Sequence, residues 1–139
     1  MIDQFKDEYF FLSNFYPSEI IIDNITFPTV EHYFQAMKTV NQSEIIKIAD
    51  ALTPGEAKRL GRRVHLRADW ESIKDEVMLN GLRKKFSIPE LKDKLLATKE
   101  EYLVEGNTWG DKYWGICDGE GENHLGILLM KVRKEIQND

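Results

Sequence analysis

Three stretches of this 139-residue chain set polar groups in patterns that packing alone does not require. The first, "FPTVEHYFQAMK" (Phe27 to Lys38), spaces a carboxylate, an amide and an amine at i, i+4 and i+7: Glu31, Gln35 and Lys38. On a helix these share one side, while Val30, Phe34 and Met37 turn to the core. Two readings fit. One is a solvated stripe, with Glu31 favoured near a helix start by the dipole. The other is a polar row along a pocket. The spacing alone favours the stripe.

The second stretch is "AKRLGRRVHLRADW", in which Arg59, Arg62, Arg63, His65 and Arg67 fall within nine residues. Guanidinium forks match phosphate oxygens, so this density suits an anionic ligand as well as it suits a solvated basic face. Four arginines cannot share one face of a short helix. Arg59 and Arg62, three apart, are the pair expected at a ligand. Trp70, directly after, reads as a core anchor or as a platform for a stacked base. The third stretch, "NTWGDKYWGICDGEGENHLG", is a long connection rich in Gly, Trp and acid, and loops of that length in compact domains are usually functional. Asp111 sits there between Gly110 and Lys112, a flexible setting for a carboxylate.

Other chemistries are poorly supported. Asp118, Glu120 and Glu122 alternate with glycine but fail the calcium-loop pattern, and no metal site is expected. Cys117 has no persuasive partner and reads as a buried, inert thiol. His32, His65 and His124 lack metal-ligand spacing. There is no G-x-S-x-G or Walker loop, and "GEGEN" follows no strand. Acid–base work by carboxylates remains.

The elements that must position these groups are mainly helices. "EIIIDNITF" reads as a hairpin turning at Asp23-Asn24. Thr29 can cap the helix of the opening stretch, and Ser43 the next. Thr53-Pro54-Gly55-Glu56 is a capping box with Pro at the first helical position. Asp69 is expected to cap a helix carrying Trp70, Ile73, Val77, Met78, Leu82 and Phe86 at helical spacing. Ser87-Ile88-Pro89-Glu90 reads as a second capping box, and "YLVE" (102–105) as a short strand. Gly106 to Asn123 reads as loop. A last helix runs from about Leu125 to Ile136, with Leu125, Leu128, Leu129, Val132 and Ile136 on one stripe. The expected class is α+β: one predominantly helical domain over 1–139, with a small antiparallel sheet.

The composition bounds the function. Apolar residues make up 42% of the chain, enough for a real core. A net charge of −5 opposes nucleic-acid binding by overall charge, so any phosphate contact must be local. One cysteine fits a reducing cytoplasm. "MIDQFKDEYFF" has no signal-peptide pattern, and no apolar run is long enough to span a bilayer.

The same segments carry a family resemblance. "FLSNFYPSEI", "FPTVEHYFQAMK", "PGEAKRLGRR", "DW…VMLNGLRKKF", "LLATKEEYLVE", "WGDKYWG" and "GENHLGILLMKVR" occur in order from about Phe10 to Arg133 and are similar to the NADAR, or YbiA-like, family. The resemblance implies a compact α+β fold that hydrolyses an N-glycosidic bond without metal or redox cofactor. It implies phosphorylated ribosyl substrates: ribosylamino-pyrimidine intermediates of riboflavin synthesis, or ADP-ribose on a guanine base. Nucleic acid then enters only as a modified substrate. Carried across residue by residue, it puts catalytic roles on Glu31, Trp70 and Asp111. It also marks Asn123, and with the readings above the residues expected at the substrate are Asn14, Phe15, Gln35, Lys38, Arg59, Arg62, Tyr113 and Asn123. The loop before Asn123 departs from the pattern in being acidic. Two function classes stay open: an N-glycosidase, and a nucleotide or ADP-ribose binding module without turnover. Two carboxylates argue for the enzyme, because a binder of anions gains little from them.

Overall fold

A computed structural model describes all 139 residues, Met1–Asp139. The chain forms two compact units. One is Asn14–Lys85; the other joins Met1–Ser13 to Phe86–Asp139. The class is α+β and mainly helical, with a small antiparallel sheet, and no helix is long and apolar enough to cross a membrane.

In the unit 14–85, β1 (Ile20–Ile22) and β2 (Ile25–Phe27) pair antiparallel with Ile22 opposite Ile25. Asp23 and Asn24 take φ 53° and 65°, the left-handed pair that a two-residue hairpin turn needs. Alternation buries Ile20, Ile22 and Phe27 and leaves Ile21 and Thr26 outside. Thr29 caps α1 (Val30–Ala36), its hydroxyl accepting the His32 N–H at 3.1 Å. Around α1 pack α2 (Gln42–Ala49), α3 (Pro54–Gly61), α4 (Trp70–Lys85) and β2. With neighbours on so many sides, every α1 residue is buried, polar ones included. His32 is one of them. Its Nε2–H donates to the Ala51 carbonyl at 3.0 Å, its Nδ1 lies 2.8 Å from Thr29 Oγ1, and burial pushes its pKa down.

The helix starts were partly legible. Thr53 caps α3 with Pro54 at its first position, as expected. The cap of α2 is Asn41 rather than Ser43: Asn41 Oδ1 accepts the Glu44 N–H, and the Ser43 hydroxyl donates to that same oxygen. Asp69 stands just before α4, but Arg67 engages its carboxylate through two bonds of 2.6 and 3.2 Å.

Lys85, the last residue of α4, is fully buried, with its amine 5.7 Å from the Tyr16 ring centroid. Burial pushes its pKa down to about 7. The unfolded chain therefore holds this proton up to about pH 10.4, where the folded chain has already released it. Stability should rise with pH between about 7 and 9.5, with a slope of up to about 1.4 kcal/mol per pH unit from this one group. Chemical denaturation of wild type and Lys85→Met at several pH values checks this. The variant should lose that slope.

The other unit opens with a 3-10 helix, Asp7–Leu12, which sequence patterning did not anticipate. It packs on α5 (Pro89–Ala97), which in turn packs on α6 (His124–Gln137). The Ser87 box is off by one residue: Ile88 takes the cap position with no side-chain bond, and Pro89 is the first helical residue. Proline's fixed φ and missing N–H suit that place. "YLVE" makes only a single parallel bridge, Leu103 with Ile2. The supposed loop instead holds two short strands, β3 (Gly106–Asn107) and β4 (Ile116–Cys117), paired in parallel. On α6, Leu125, Leu129 and Val132 are buried, while Leu128 and Ile136 are half-buried.

Candidate active site

The polar row of α1 is not a solvated stripe. Glu31 is 8% exposed and Gln35 4%. At the helix start the Glu31 N–H has no intrahelical acceptor, and it donates to the Asn14 carbonyl at 3.1 Å. One turn on, Gln35 Nε2 donates to Glu31 Oε2 at 2.6 Å, the i, i+4 geometry the spacing predicted. An ionised carboxylate only accepts, so the amide nitrogen must face it. Two buried acceptors in this unit, Asn14 Oδ1 and Gln35 Oε1, have no hydrogen-bond partner. The Asn14 amide nitrogen is turned to Met78 Sδ at 3.4 Å. Phe15, the next residue, is half-buried.

The helix ends at Ala36, so Lys38 lies in the turn that follows it. Its amine sits 5.8 Å from the Phe34 ring centroid. Burial holds the Lys38 pKa below its usual range; the Glu31 charge opposes this, and Arg62, Lys58 and Lys74 reinforce it. These groups therefore share one field: a buried acid among cations. Lys58 and Lys74 were not singled out from the sequence. Their membership depends on how α3 and α4 pack on α1, and no local pattern announces it.

The arginine cluster divides. Arg59 pairs with Glu56 at 3.4 Å on the surface, and Arg67 is taken by Asp69. Arg62, at the C-cap of α3, is exposed and close enough to Lys38 to affect it. Arg63 is exposed, and the His65 ring lies 3.3 Å from Glu44. Trp70 is 5% exposed, its ring 5.0 Å from that of Phe34 at a tilt of 59°. In this geometry the indole is packed into the core.

The remaining expected residues lie in the other unit, joined to one another. Asp111 is not in a flexible setting. Its Oδ1 accepts the N–H groups of Tyr113 and Trp114 at 3.1 and 2.9 Å, and Asn107 binds its backbone through both amide atoms. The Tyr113 ring stacks on His124 with centroids 4.0 Å apart, which covers one of its faces. Asn123 is buried in the left-handed conformation at φ 54°. Its Oδ1 accepts from the Glu105 N–H, and its Nδ2 donates to the Leu103 carbonyl. Both polar atoms are thus spent on backbone, and Asn123 ties the loop to the start of α6. A cavity of about 740 Å³ in this unit, lined by residues such as Tyr9, Lys94 and Glu101, contains none of the expected site residues. Around Glu31, by contrast, a carboxylate is buried beside an amide and cations.

A small, mainly helical α+β protein with a buried, amide-braced glutamate at the start of a central helix is the class that these features define. The chain belongs to the NADAR domain family, whose model matches residues 2–137. It is 43% identical over 135 residues to the N-glycosidase YbiA of Escherichia coli, covering 94% of this chain and 84% of that one. It is 41% identical to the chloroplastic riboflavin biosynthesis protein PYRR of Zea mays, matching 89% of this chain and 23% of that protein. The NMR structure of E. coli YbiA superposes with a TM-score of 0.86 at 40% identity, covering 99% of this chain and 88% of that one.

Proposed function

We propose that this protein hydrolyses the C1′–N bond of a phosphorylated N-riboside, with Glu31 as the catalytic carboxylate. The hydrolase class, acting on N-glycosyl bonds, rests on the family and on relatives named N-glycosidases. The observation that carries the residue assignment is the burial of Glu31 with Gln35 fixed on it at 2.6 Å. Burying a carboxylate costs several kcal/mol in solvation, and a chain tolerates that where the charge is used. Breaking a glycosidic C–N bond develops positive charge on the sugar, as in an oxocarbenium ion. A fixed carboxylate stabilises that charge, and it can also orient the attacking water and take its proton. Lys38 and Arg62 supply local positive charge for a phosphate, despite the net −5. The catalytic role expected of Asp111 is tested separately with Asp111→Asn, which keeps an oxygen for the two N–H groups it receives and should lower kcat.

The finer substrate assignment is a small phosphorylated riboside, a ribosylamino-pyrimidine of riboflavin synthesis, or a single ADP-ribosyl group on guanine. A relative named for riboflavin biosynthesis supports the first. Purified protein incubated with each compound, and assayed for free base, tests the choice. Affinity for the mononucleotide-sized ligand should fall only gently with salt, since one phosphate is engaged. A steep slope for an ADP-ribosylated oligonucleotide, cut by Arg63→Ala or Arg67→Ala, would instead show a polymer track.

A further inference from the structure

Gly61, the last residue of α3, is buried, and its φ lies outside the left-handed range that favours glycine. The backbone therefore does not require glycine there, and a helical glycine costs stability relative to alanine. The reason lies across the α1–α3 contact. A Cβ on Gly61 would overlap Gln35 Oε1 and come within 2.8 Å of Gln35 Cδ and 3.1 Å of its Cβ. The three atoms nearest that Cβ all belong to Gln35. The bare Cα is the wall against which the Gln35 amide rests.

That wall accounts for an otherwise costly feature. Gln35 Oε1 is buried without a hydrogen bond, which folded proteins rarely accept. Here the oxygen is pressed against Gly61 while the other end of the same amide holds Glu31 Oε2. We infer that Gly61 is a positioning residue for the reaction, fixing the Glu31 carboxylate by seating the Gln35 amide that braces it. The inference rests on the assignment of catalysis to Glu31. Gly61 touches neither substrate nor reacting atoms. A methyl group there pushes the amide off the carboxylate and frees Glu31 to leave its productive rotamer, and misplacement on the 1 Å scale costs up to about a hundredfold in rate.

The test is a double-mutant cycle on base release from a phosphoribosylamino-pyrimidine, with melting temperature measured alongside. Gly61→Ala and Gln35→Ala should each lower kcat by about tenfold to a hundredfold, with KM changed by less than about threefold, because the carboxylate moves and the phosphate contacts do not. Gly61→Ala added to Gln35→Ala should then lower kcat by less than about threefold more, since the clashing amide is gone and only the Cβ contact of 3.1 Å remains. Losses that multiply in the double variant would overturn the inference, as would wild-type kcat in Gly61→Ala. If Gly61→Ala alone does not fold, Gln35→Ala must restore folding, and failure of that rescue is equally contradictory. The underlying assignment fails differently: Glu31→Gln would then turn over normally, whatever the cycle shows. An inactive Glu31→Gln with an additive cycle rejects Gly61 alone.

Discussion

Glu31→Gln should abolish at least about 99% of hydrolysis while leaving affinity for substrate within about tenfold. The substitution is nearly isosteric. The new amide oxygen can still accept the bond that Gln35 Nε2 now gives to Glu31 Oε2 at 2.6 Å, so the brace and the packing of α1 survive. What disappears is the charge, and with it both the stabilisation of a cationic sugar and the capacity to take a proton from water. Single-turnover assays beside equilibrium binding separate these effects. Near-normal turnover in the variant contradicts the assignment.

Trp70→Ala is the second large effect, and it is expected on stability. The indole is 5% exposed and packed against Phe34. Truncating such a side chain costs about 3–5 kcal/mol through lost burial and the cavity left behind. For a chain of this size that is a fall on the order of 10–20 °C in melting temperature. Were the indole instead a platform for the base, the loss would appear as about 1–3 kcal/mol of binding with the melt unchanged. A thermal melt and a ligand titration on one preparation distinguish the two. An unchanged melt with weakened binding would reverse the packing role read from the geometry.

The parts of this molecule legible in the sequence are those decided locally. The hairpin turn at Asp23-Asn24 and the caps at Thr29 and Thr53 depend on three or four neighbouring residues, and each forms as expected. Where two local signals compete, a boundary slips: Pro89 as the first helical residue prevailed over the Ser87 box. Signals set by distant partners were not legible. Nothing within Val30–Ala36 says that its polar side is buried, because the burial is imposed by helices drawn from residues 42–85. The β3–β4 ladder joins strands whose partners are ten residues apart, with no alternation to mark either strand. Asp111 looked mobile beside Gly110, yet its rigidity comes from Asn107 and from the two N–H groups that follow it. The candidate site shows the same division. The i, i+4 bond between Glu31 and Gln35 was readable as spacing, whereas the part played by Gly61 depends on a neighbouring helix.

Mass spectrometry of wild-type protein incubated with a phosphoribosylamino-pyrimidine, following free pyrimidine and ribose phosphate together, tests hydrolysis directly. Cleavage of the C1′–N bond by water predicts both products in equal amounts, increasing with time well beyond one equivalent of protein. Ligand recovered intact from protein that nonetheless binds it would contradict the account and leave a binding module in its place.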